Sequence, residues 1–132
     1  VLEGTAFGVR HNLEAMAEMG APPRRLVAVG GGAKNRLWLQ IVSDTGGVAQ
    51  TVPERTIGAS FGDAFLAGLA TGLVPDLGGL TRDWVRVATT LEPDVEAHRR
   101  YDASYRVYRD LYEAAKEQLH ALARLGSGVT GV

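Results

Sequence analysis

The sequence of 132 residues contains no cysteine. Disulfides, thiolate catalysis and cysteine-ligated zinc are therefore excluded, and the lack of thiol chemistry fits a cytoplasmic protein. No apolar run approaches the ~20 residues that a membrane helix needs, so no membrane partner is expected. Charge of one sign is missing too: 14 basic and 15 acidic residues leave a formal net charge of -1. Such a balance provides neither a nucleic-acid surface nor a patch for an acidic membrane. Histidine is scarce; His11, His98 and His120 are scattered, with no second histidine at helical spacing, so each reads as a surface residue and no metal site is expected. There is no internal repeat and no low-complexity tract. The start, Val1-Leu2-Glu3-Gly4, carries neither an initiating methionine nor a basic leader, and reads like a cut inside a longer chain.

What is present is an alternation of helical and strand patterns. Ala6, Val9, Leu13 and Met16 recur at helical spacing before Gly20 and Pro22-Pro23, which predicts an amphipathic helix with a stop. Leu26-Val27-Ala28-Val29 is a continuous apolar run, suited to a strand buried on both faces in a parallel sheet. A second helix places Leu37, Trp38, Ile41 and Val42 on one side and ends near Gly46-Gly47. Val48 to Val52 reads as another strand closed by Pro53, and Ile57 to Thr71 as a tightly packed helix ended by Gly72. Thr81 is expected to cap a short helix through Ala88. Tyr101, Tyr105, Tyr108, Tyr112, Ala115, Leu119 and Leu122 alternate steps of four and three. That rhythm predicts a long C-terminal helix over 95–125, docked on a core rather than stacked on bases. The pattern describes an α/β domain with parallel strands, although two strands make a thin sheet.

Gly30-Gly31-Gly32-Ala33-Lys34-Asn35 joins the first strand to the second helix. Glycines there let the backbone turn sharply and let a flat or charged ligand approach it. The helix start favours an anion or a polar acceptor; Lys34 is placed for a phosphate and Asn35 for a purine edge. A glycine turn by itself serves equally as a tight connection. Two acidic residues stand out. Asp63 interrupts an otherwise apolar helix, as part of an ion pair, an exposed face or a site. Asp44, beside Ser43, suits a capping or interdomain role better than metal binding.

The stretch from Gly30 through Asp44 closely resembles the adenosine loop and helix of the FGGY carbohydrate-kinase family, especially its xylulokinase-like branch. Glu3-Gly4-Thr5-Ala6-Phe7, Pro53-Glu54 with Gly58-Ala59 and Leu66-Ala67, and the tyrosine-spaced helix extend the resemblance in the family's order. It implies an incomplete ribonuclease-H-like domain of the actin-like ATPase class, with residues 1–132 as one partial, C-terminal, nucleotide-binding domain. It also implies ATP or ADP, with Mg²⁺ not held by this chain, and a sugar bound by an earlier N-terminal domain. Gly31, Gly32 and Asn35 match the family's nucleotide contacts, with Gly30, Ala33 and Lys34 as their neighbours. The small apolar residue more usual in the family is replaced by Asp63. No catalytic residue has a counterpart here, so catalysis is expected outside this chain. The implied reaction moves the ATP γ-phosphate to a sugar hydroxyl, with a xylulose-like ketopentose as acceptor. A glycerol kinase or other actin-like kinase, and an isolated assembly module, remain as alternatives. Self-association as a homodimer is expected, through the edge of the strand Leu26–Val29 or through the long helix.

Overall fold

A computed structural model describes residues 1–127 of the chain. Its elements are α1 (Leu2–Glu18), β1 (Leu26–Val27), α2 (Arg36–Gly46), β2 (Gln50–Pro53), α3 (Ala59–Ala70), β3 (Val87–Leu91) and α4 (Val95–Ser127). A 3₁₀ turn at Gly31–Lys34 leads into α2, and a π-helical turn at Leu80–Trp84 precedes β3. The described residues contain no helix long and apolar enough to cross a membrane.

The sheet order is β1-β2-β3. β1 runs parallel to β2, with Leu26 opposite Gln50 and Val27 opposite Thr51. β3 is antiparallel to β2 and corrects the expectation of a purely parallel sheet. The helix expected from Thr81 to Ala88 is replaced by the π-helical turn and the start of this strand. Thr81 bonds the Gly78 carbonyl from inside that turn, and the β-branched residues that follow (Val85, Val87, Thr89 and Thr90) favour extended backbone. Pro53 lies within β2 rather than beyond it. The register shifts between Val52 and Pro53, and a proline is tolerated at a bulge because no regular ladder bond is lost.

One sheet face carries the core. Leu39 of α2 packs with Val52 and Leu91, and Ala28 and Trp38 close around them. A buried polar trio ties three elements together: the Gln50 amide donates to the Leu39 carbonyl and to Ser43 Oγ (2.9 Å), and Ser43 Oγ donates to the Leu91 carbonyl. Within α2 the core-facing set includes Leu39 and Val42, whereas Leu37 points outward. The other sheet face is open. Val27 and Val29 are half-exposed, so β1 is not buried on both faces as its apolar run suggests.

α3 is also looser than its composition suggests, since Phe65 is its buried residue. Phe61 and Phe65 each lie 5.3 Å from the Trp84 ring, and Gly68 lets Val74 approach closely. Small residues there present little side-chain surface to bury, and Asp63 sits on the exposed side. The helix does end as expected, at Gly72 with φ of +77°.

α4 spans 33 residues, more than the 95–125 expected. The tyrosine stripe docks as predicted: Phe7 of α1 meets the rings of Tyr101, Tyr105 and Tyr108 at 5.6–6.0 Å. Arg10 lies 4.1 Å over the Tyr105 ring and pairs with Glu14 (3.0 Å) and Asp102 (2.7 Å). Glu14 also accepts from Tyr105 and Arg109.

Asp44 explains how α4 begins. Its Oδ1 accepts from the Gln40 amide (2.7 Å) and from the Asp94 N–H (2.8 Å). Asp94 in turn caps α4 through the N–H groups of Glu96 and Ala97, which holds its carboxyl below the usual range. His98 is not a free surface residue. Its Nδ1 lies 2.7 Å from the Asp44 carbonyl oxygen, and its ring covers Gly47, whose positive φ ends α2. Asp44 thus joins the end of α2 to the start of α4.

Candidate nucleotide site

The glycine turn follows directly from the sheet. The N–H of Ala28 still bonds the Thr51 carbonyl (2.9 Å), continuing the β1–β2 pairing. Then Gly30 turns the chain, with φ of +79° and ψ of -168°. A side chain at that conformation is strained, which makes glycine the residue for it. Gly30 donates its N–H to the Thr56 carbonyl (2.6 Å), so the β1–α2 turn is tied to the β2–α3 loop. Both loops leave the carboxyl ends of adjacent parallel strands, the end at which α/β sheets place their ligands.

Gly31 and Gly32 differ in purpose. A Cβ added at Gly31 would meet nothing within 4 Å, so its backbone opens outward. At Gly32 a Cβ would lie 3.4 Å from the Trp38 indole nitrogen, and the missing side chain lets Trp38 back the turn. Ala33 is buried beneath, its N–H bonded to the Gly30 carbonyl (3.2 Å), while Lys34 is exposed. Asn35 caps α2: its Oδ1 accepts from the Trp38 N–H at 3.1 Å. That bond, worth ~1 kcal/mol in typical caps, commits the amide oxygen and leaves the Nδ2 donor for a ligand. The first N–H groups of α2 lie beyond its own ladder, as at any helix start.

All six sequence-predicted positions, Gly30 to Asn35, therefore share one turn. The loop carrying Arg55, Thr56 and Ile57 sits beside it and was not singled out from the sequence. Its signal was the Gly58-Ala59 helix start that follows a strand. On the open sheet face an apolar groove of about 220 Å³ lies between Val27, Val29, Pro53, Ile57 and Phe61. On the helix side a shallow depression of about 280 Å³ includes Gly32 and Ala33 above Trp38 and Leu39. A third depression among the described residues, about 460 Å³, is lined by Glu54, Arg55, Phe61, Asp83, Trp84 and Arg86 and contains none of Gly30 to Asn35. Glu54 and Arg55 follow the carboxyl end of β2, so this depression lies on the far side of the β2–α3 loop from the turn's own lining residues. No group of three or more metal-ligating side chains occurs among the described residues.

Comparison with known proteins bears on this geometry. The C-terminal domain of the FGGY family of carbohydrate kinases matches residues 1–71, which contain both loops. The chain is 29% identical over 117 residues to a xylulose kinase of Staphylococcus epidermidis, covering 89% of this chain. It is 31% identical over 121 residues to the L-xylulose/3-keto-L-gulonate kinase of Escherichia coli, covering 92%. The crystal structure of xylulose kinase from Rhodospirillum rubrum superposes with a TM-score of 0.74 at 27% identity, over 90% of this chain and 24% of that one. The chain likewise spans 24% of the length of the two curated relatives. The small sheet and long C-terminal helix are thus shared with kinases of the actin-like ATPase class. With more than half its residues matched, this chain belongs to the FGGY family of carbohydrate kinases, through that family's C-terminal domain.

Proposed function

We propose that this chain is the adenosine-binding part of an ATP-dependent carbohydrate kinase. The observation that carries the reading is the turn at Gly30–Asn35. It stands at the carboxyl ends of two parallel strands, with an unobstructed backbone at Gly31. In this reading the nucleotide lies flat against Gly31 and Gly32, and Asn35 Nδ2 donates to the purine. Lys34, with the first N–H groups of α2, faces the phosphates, and Mg²⁺ arrives on those phosphates. A kinase of this kind transfers the γ-phosphate to a sugar hydroxyl largely by positioning and charge neutralisation. The base and the sugar pocket belong to the other parts of such an enzyme. A ketopentose such as xylulose is the acceptor favoured by the names of the relatives.

ADP titration with amide chemical shifts as readout tests the site. The expected result is millimolar affinity, about -4 kcal/mol, with shifts clustered at residues 30–35 and 55–58. Gly31→Val abolishes them, because the new side chain occupies ligand space rather than protein space. Shifts clustered elsewhere, or unchanged in the variant, would refute the assignment.

A further inference from the structure

The open sheet face carries a groove that the turn at Gly30–Asn35 does not use. Its apolar half, about 220 Å³, is walled by Val27, Val29, Pro53, Ile57 and Val85. Beside it, the depression of about 460 Å³ is charged, with Glu54, Arg55, Asp83 and Arg86 around it. Arg55, Phe61 and Trp84 line both halves, so the two adjoin. Backbone pairing holds the charged half together: the Glu54 N–H bonds the Arg86 carbonyl (2.8 Å), which sets the exit of β2 beside the entry of β3. The half-buried Trp84 stands between the halves, its ring braced by Phe61 and Phe65 at 5.3 Å.

We infer that this groove binds a small aryl carboxylate, with its ring in the apolar half against Trp84 and its carboxylate between Arg55 and Arg86. Charge selects the anion. Asp83 is already held by Arg82 (3.0 Å), which also reaches Asp76 (3.4 Å). Among the described residues, Arg55, Arg86 and Glu54 have no ion-pair partner. The uncommitted groups around the depression are therefore two guanidiniums and one carboxylate, which leaves one positive charge in excess. A monoanion balances that excess, whereas a phosphate dianion overshoots it and faces Glu54. A guanidinium also takes both oxygens of a carboxylate through its planar fork. The apolar half selects the body of the ligand. Val27, Val29 and Ile57 are 47–57% exposed, and a flat ring covers them while meeting the Trp84 and Phe61 rings in the offset or edge contacts that aromatic pairs favour. Apolar walls with a few convergent charged groups are the usual form of a small-molecule site. No residue from Gly30 to Asn35 lines either half, so the inference does not rest on the nucleotide reading.

Titration of the whole chain with 2-naphthoate, read by amide chemical shifts, tests the site. The expected result is a dissociation constant of about 1 mM, with shifts at residues 54–61 and 84–87. 2-Naphthalenemethanol keeps the ring without the charge, acetate keeps the charge without the ring, and each binds about tenfold more weakly or less. Arg55→Ala combined with Arg86→Ala weakens 2-naphthoate by about tenfold or more, while far-ultraviolet circular dichroism stays unchanged because both side chains are exposed. Lysine at both positions recovers only part of the loss, since an ammonium has no planar fork. Gly31→Val binds 2-naphthoate as the unaltered chain does. An absence of shifts at 84–87 would overturn the proposal. So would equal affinity for the neutral alcohol, or binding that survives the double alanine variant, since either describes a general apolar surface. Shifts at 30–35 that vanish in Gly31→Val would overturn it by moving the compound to the glycine turn. Tighter binding of phenyl phosphate than of 2-naphthoate would overturn the choice of a monoanion.

Discussion

Gly30 and Gly31 are neighbours that do opposite jobs, and single substitutions separate them. Gly30 needs a backbone that side chains avoid, so Gly30→Ala should destabilise the fold by about 2 kcal/mol. Gly31 has neither a positive φ nor a neighbour for a Cβ. Gly31→Val should therefore change stability by less than about 1 kcal/mol, which makes it the clean variant for ligand binding. Urea denaturation of both checks the contrast, and equal losses would contradict it. Asp44 is the other residue with a disproportionate role. Its carboxylate receives the Asp94 N–H that opens α4, so Asp44→Ala should cost about 2 kcal/mol by leaving a donor without its charged acceptor. Asp44→Asn, which retains an oxygen, should recover part of that loss.

Among the elements, α1 and α4 are clamped by charge as well as by aromatic rings. Burial pushes the Glu14 carboxyl up, but hydrogen bonds from Tyr105 and Arg10, with the charges of Arg10 and Arg109, outweigh it and leave the group below its ordinary value of 4.5. Asp102 is lowered similarly, chiefly by its hydrogen bond from Arg10. A depressed folded value means that the stabilisation is complete above the unfolded value and is lost as pH falls through the folded one. Stability should thus fall on acidification below about pH 4.5, the unfolded value of Glu14. Glu14→Gln should flatten that acid limb of the denaturation midpoint against pH. An unchanged limb would place the acid sensitivity elsewhere. Tyr105 leans the other way: burial and its bond to Glu14 raise the phenol, so the clamp remains closed through neutral and mildly alkaline pH.

At the scale of the molecule, the turn proposed for the nucleotide is formed, but the residues for proton removal from a sugar are not recognisable among the described side chains. With MgATP and a panel of pentoses, hexoses and polyols, the chain by itself should give no turnover above background. Sustained, contamination-free phosphorylation would show that a base and a sugar pocket reside here after all. Adenine nucleotides should nevertheless bind, weakly, because one wall of a cleft can contact adenosine while neutralising few phosphates.

The local elements and the candidate turn could be read from spacing alone. Apolar residues at steps of three and four specify α1, α2 and α4 because a helix face has that period. Gly30 to Asn35 stood out as a turn because a run of glycines after an apolar strand lets the backbone bend sharply. Neighbours far apart in sequence decided the rest. β3 was hidden because Val87–Leu91 has little periodicity of its own and becomes a strand by pairing with β2, 34 or more residues away. The open face of β1 could not be foreseen, since an apolar run has the same composition whether or not something covers it. Likewise the sequence suggests a capping role for Asp44 but not its partners, and His98 looks unremarkable 54 residues away; both roles take shape when α4 returns to the end of α2. Short-range period belongs to the chain; pairing, burial and polar partners belong to the packed structure, because they depend on which distant groups exclude water together.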